Sequence, residues 1–148
     1  MRTKVELPGR LCLVAAAAWA VLVAPFPASA NEATFRVSLS GPEVSGDPDG
    51  RGEATVTLDP ETTEIDVQLT YSRIAEPTSI HIRRGATGSE GNIVASFFIE
   101  NEGRGRLAAT GTVRADHVQQ MLSSPEDYYL VVLNREHVVG ALRGPLQK

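Results

Sequence analysis

Ile65-Asp66-Val67-Gln68-Leu69-Thr70-Tyr71 carries an apolar side chain at every second position and a polar one between. Side chains on an extended chain alternate between two faces, so this stretch writes one dry and one wet face of a β-strand. The same period governs the residues before it. Phe35, Val37 and Leu39 alternate with Arg36, Ser38 and Ser40, and Ala54, Val56 and Leu58 alternate with Thr55 and Thr57. Asp59-Pro60-Glu61-Thr62-Thr63 joins the second and third runs with turn-forming residues, which predicts a hairpin.

Further candidate strands follow at residues 79–83, 93–99 and 106–113. Residues 128–133 form a continuous apolar run, short enough to be a central strand buried on both faces, and residues 138–146 supply the last strand. Residues 85–91 hold three glycines and read as a loop. One segment has a different period: Val118, Met121 and Leu122 fall at helical spacing, with Asp116 and Gln119 arranged as a capping box and Pro125 beyond. About eight short strands and one short helix predict an all-β antiparallel sandwich, with an open barrel as the alternative.

The chain has 148 residues, with 14 Lys+Arg against 18 Asp+Glu. Arg2, Lys4 and Arg10 precede an apolar run at residues 11–23, Pro25 and Pro27 break it, and Ala28-Ser29-Ala30 fits a cleavage site. Residues 1–30 are therefore expected to be a removed signal peptide and residues 31–148 a single domain, periplasmic or secreted. The run is too short to span a bilayer, which takes roughly 20 apolar residues, so no stable membrane insertion is expected after cleavage. The remaining 118 residues hold 11 basic and 17 acidic side chains, a formal charge of −6. An acidic surface argues against nucleic acid as a partner. Cys12 and Trp19 are the sole residues of their kinds and leave with the signal, which excludes disulfides, zinc–thiolate sites and cysteine nucleophiles from the mature chain.

Three segments resemble the chordin domain (CHRD) family. Leu39-Ser40-Gly41-Pro42-Glu43-Val44 is similar to its opening L-S-G-x-E-V, and Ile80-His81-Ile82-Arg83-Arg84-Gly85-Ala86-Thr87-Gly88-Ser89-Glu90-Gly91 to its A-H-I-H-x-G-x-x-G-x-x-G stretch. Tyr129-Leu130-Val131-Val132-Leu133-Asn134 and Gly140-Ala141-Leu142-Arg143-Gly144-Pro145-Leu146 resemble its Y-V-N-V-H-T and G-E-I-R-G-Q-L ending. The resemblance implies an immunoglobulin-like or superoxide-dismutase-like sandwich of Greek-key type in an exported, bacterial-type single-domain protein. It implies no general enzymatic activity, and it raises metal binding through the family's recurrent histidines. Here the His-x-His pattern becomes His81-Ile82-Arg83, and Leu133 stands at another histidine position. A fixed cation beside a lone imidazole repels an incoming metal ion.

His81 is therefore the one metal-ligand candidate, weighed against a histidine held within the sandwich; no metal and no cofactor are expected. His117 and His137 fall in a helical first turn and a polar turn and are expected to be exposed. Residues 47–53 lack the third acidic position of a calcium loop, and Leu58 stands where its bidentate Glu belongs. No nucleophile elbow or phosphate-binding loop occurs, so no catalytic residue is assigned. Glu43, His81, Arg83, Tyr129 and Arg143 are the motif residues expected to have structural or binding roles. Arg143, set against Gly144 and Pro145, is expected to hold Glu43 or several backbone carbonyls. The expected function is a non-catalytic binding module for a protein or cell-envelope component. The alternative is a copper/zinc-binding or superoxide-dismutase-like periplasmic protein. A monomer or weak homo-oligomer is expected, the latter through edge-strand pairing.

Overall fold

The computed structural model describes residues 31–41 and 46–148, and the expected signal peptide lies outside them. Eight antiparallel strands run in the order β1 (Ala33–Ser40), β2 (Arg51–Leu58), β3 (Glu64–Ser72), β4 (Pro77–Arg84), β5 (Asn92–Gly103), β6 (Arg106–Val113), β7 (Tyr128–Asn134) and β8 (Leu142–Pro145). A single helix, α1 (Ala115–Ser123), and a 3-10 turn (Pro125–Asp127) separate β6 from β7.

The strands close into one barrel in the order β1-β2-β3-β6-β5-β4-β7-β8, with β8 returning to β1. The expected sandwich is thereby overturned, and so is the open barrel. The all-β antiparallel class and, among the described residues, the single short helix stand. Alternation along a strand specifies one dry face but not whether that face meets a second sheet or its own sheet curled round.

Closure depends on a short seam between the first and last strands. Ser40 pairs with Arg143, and Arg36 and Gln147 exchange backbone hydrogen bonds of 2.7 and 2.9 Å. Between those points Pro145 has no N–H to offer, and Gly144 lies against the Ser38 carbonyl so closely that a Cβ there would overlap it.

The interior is filled by the alternating residues. Phe35, Val56, Val67 and Ala109 lie opposite one another across four neighbouring strands, as do Val37, Ala54, Leu69 and Leu107. All eight are buried and belong to one core with Ile80, Ile82, Leu130, Val132 and Leu142. The β2–β3 hairpin forms as expected, its turn fixed by Asp59 Oδ1 accepting from the Glu61 and Thr62 amides at 2.8 and 3.3 Å.

α1 joins the same core through Val118 and Met121. Its expected capping box does not form. The N-cap is Arg114 with no side-chain cap bond, and Asp116, inside the first turn, pairs with Arg114 at 2.9 Å. The last strand is also shorter than expected. It starts at Leu142, and Val138 and Val139 project from the preceding loop, 70% and 48% exposed.

Candidate functional site

β4 and β7 are neighbours, with Ile80 opposite Val132 and Ile82 opposite Leu130. Those four side chains belong to the core, so alternation turns His81, Arg83, Tyr129 and Val131 to the outside of the barrel. β8 adds Arg143, opposite Val131. Four of the five motif residues, His81, Arg83, Tyr129 and Arg143, therefore meet on one patch of outer wall. Glu43 lies outside the described residues.

An outward patch on a barrel is ordinarily wet, yet every residue of β7 is buried. Two loops cover it. The loop of residues 85–91 leaves β4 and folds back over Tyr129, whose hydroxyl donates to the Ser89 carbonyl at 2.7 Å and accepts from the Gly91 amide at 3.0 Å. The loop of residues 135–141 lies beside it, and Arg143 joins the two. One guanidinium nitrogen donates to the carbonyls of Ser89 and Thr87 at 3.1 and 3.4 Å, and the other to that of Val139 at 3.0 Å. The guanidinium also lies over the Tyr129 ring, 5.6 Å from its centroid. Arg143 is 2% exposed.

Arginine suits this position because its planar fork can serve two directions at once while its flat face stacks on an aromatic ring. Gly140 makes room for it. With φ at +149°, a Cβ there would fall 2.9 Å from both Arg143 Nε and a Val131 methyl. Of the two partners expected for Arg143, carbonyls are observed, and among the described residues no carboxylate pairs with it.

His81 and Arg83 flank this clamp on β4. Arg83 makes a long 3.4 Å contact to the Gly91 carbonyl. His81 is half-buried, and its Nδ1 is enclosed without a hydrogen-bond partner among the described residues. Burial first, and the Arg83 charge second, hold its pKa below the usual imidazole value. A neutral imidazole can ligate a metal, but the patch supplies no second imidazole and places a guanidinium in its stead.

His117 is not the exposed residue expected. Its Nδ1 lies 3.0 Å from the buried Tyr128 hydroxyl, which donates to Gln120 Oε1 at 3.2 Å. Burial pushes the Tyr128 pKa up. This chain of bonds ties α1 to the start of β7. His137 is half-buried and approaches Asp47 and its neighbour Glu136, a grouping missed from the sequence because Asp47 sits in a turn far from the other two along the chain. Gly46, where a Cβ would sit 2.5 Å from the Ala141 carbonyl, was the available signal.

The chain matches the family model described as the CHRD domain over residues 35–146. The chain belongs to the CHRD family. No curated protein and no solved structure matches it. The matched CHRD span starts within β1 and ends just beyond β8, so it reaches all eight strands. Within this CHRD domain, the tyrosine and arginine of the closing motifs hold the glycine-rich segment of the middle motif. Segments separated in sequence are thus parts of one contact.

Proposed function

We propose that this CHRD chain is exported, loses residues 1–30, and acts in the periplasm or outside the cell as a non-catalytic binding module for a protein or cell-envelope component. The observation carrying this reading is how the motif side chains are used. Tyr129 and Arg143 direct their polar groups at backbone carbonyls and an amide of two loops, whereas a reactive centre needs groups aimed at a substrate. Apolar side chains fill the barrel interior, so the surface available to a partner is the outer one. The clamp presents Val138 and Val139 at the tip of a loop fixed at Val139 itself, and exposed apolar residues on an ordered support are a usual contact element. The dismutase-like alternative draws less support, since Arg83 occupies the second-ligand position beside His81.

The test has two parts. Exported protein should begin at Asn31 by intact mass. Crosslinking in the native envelope should then capture a partner with wild type that Val138→Asp/Val139→Asp loses while Phe98→Ser, changed on a different exposed wall, retains it. Superoxide turnover by the metal-loaded protein, or identical capture by all three, contradicts the reading.

A further inference from the structure

We propose that Asp47, Glu136 and His137 form a binding site for a divalent transition-metal cation, separate from the His81 patch and independent of the binding role above. Each offers one ligand atom, and the three atoms lie within 4.8 Å of one another. First-row cations bind oxygen and imidazole nitrogen at about 2.0–2.2 Å, so ligand atoms around one ion stand about 3–4.4 Å apart. Small side-chain rotations bring the observed set into that range.

The supporting backbone is already fixed. The Asp47 amide donates to the Ala141 carbonyl at 3.1 Å, which joins the turn before β2 to the loop before β8. Gly46 permits this approach, since a Cβ there would sit 2.5 Å from the same carbonyl. On the other side, Asn134 is 1% exposed, and its Oδ1 accepts from the Glu136 and His137 amides at 3.1 and 2.7 Å. Its Nδ2 donates to the Ala75 carbonyl at 3.3 Å, so the ligand-bearing turn is anchored in the wall.

The three side chains make no hydrogen bond or ion pair with any described residue. That differs from the carboxylates of Asp59 and Asp116, which are engaged by a turn and by Arg114. One imidazole with two carboxylates and no thiolate selects Zn²⁺ or Mn²⁺ over the all-oxygen preferences of Ca²⁺ and Mg²⁺. Glu136 is exposed, so water can complete the coordination sphere.

The experiment titrates the purified, metal-stripped protein with ZnCl₂, MnCl₂ and CaCl₂ by calorimetry, and follows thermal unfolding and Mn²⁺-induced NMR broadening. The expected result is one Zn²⁺ per chain, weaker Mn²⁺, little Ca²⁺, and a rise in melting temperature. His137→Gln and Asp47→Asn should each weaken Zn²⁺ by about tenfold or more, while His81→Gln leaves it unchanged. Sub-stoichiometric Mn²⁺ should broaden the Asp47 amide and His137 ring signals first, in the unmutated protein. No stoichiometric binding, binding lost in His81→Gln but kept in His137→Gln, or broadening centred on His81 overturns the proposal.

Discussion

Replacing Arg143 by Met keeps most of the buried stem and removes the charged fork. Two strong contacts disappear, to Ser89 and Val139 at 3.1 and 3.0 Å, along with the weaker 3.4 Å contact to Thr87 and the stacking on Tyr129. Hydrogen bonds from a charged donor contribute about 1.5–3 kcal/mol each, and a cation–π contact about 1 kcal/mol. The contacts share one network, so the parts are not summed in full, and the expected loss is about 3–5 kcal/mol. In a domain of this size that is a fall of about 10–20 °C in Tm. Arg143→Lys keeps the charge but cannot reach both loops, and should lose about 2–3 kcal/mol. Equilibrium urea unfolding followed by far-UV circular dichroism measures both. A loss below about 1 kcal/mol for Arg143→Met is what an exposed arginine gives, and would refute the clamp.

The remaining predictions concern the flanks of that patch and the seam. Gly144→Ala should cost about 3 kcal/mol or more, because the new Cβ meets the Ser38 carbonyl, whereas Gly88→Ala, with open space around it, should be near neutral; equal effects in urea unfolding would contradict the seam geometry. The His81 pKa is lowered in the folded state. The unfolded chain therefore takes up a proton near pH 6.5 while the folded one does not, so stability falls as pH drops below about 6.5 and His81→Gln should lessen that fall between pH 7.5 and 5.5. An undiminished fall in the variant would assign it to other groups. Glu43, three residues beyond Ser40 and its pairing with Arg143, remains the carboxylate proposed from the opening motif. A double-mutant cycle of Glu43→Gln with Arg143→Met should give a coupling above about 1 kcal/mol, and a value within about 0.3 kcal/mol of zero leaves the carbonyls as its whole support.

The strands were legible because alternation is a local property, and Phe35 to Leu39 or Ile65 to Leu69 state their buried face without reference to any partner. Closure was not, because it rests on pairing β1 with β8 at opposite ends of the domain, where Gly144 and Pro145 mark only a close approach. The uniform apolar run of β7 correctly signalled burial on both faces. What it could not disclose is that two loops, rather than a second layer of secondary structure, cover the outer face. The helical period of residues 116–122 located α1, but Asp116 reads as a cap in sequence and is drawn to Arg114 in the fold. Of the candidate site, His81, Arg83, Tyr129 and Arg143 were named by motif. Their convergence follows from β4, β7 and β8 being adjacent, an order that hairpin reasoning along the chain does not supply.

Whether Tyr129 and Arg143 serve to hold the loops is tested most directly at the Gly91 amide, which donates to the Tyr129 hydroxyl from within a glycine-rich loop. Amide exchange measured residue by residue by NMR should show Gly91 protected in the wild type, and Tyr129→Phe should abolish that protection while β2 and β3 keep theirs. Fast exchange at Gly91 in the wild type, or protection unaltered in Tyr129→Phe, would contradict the clamp.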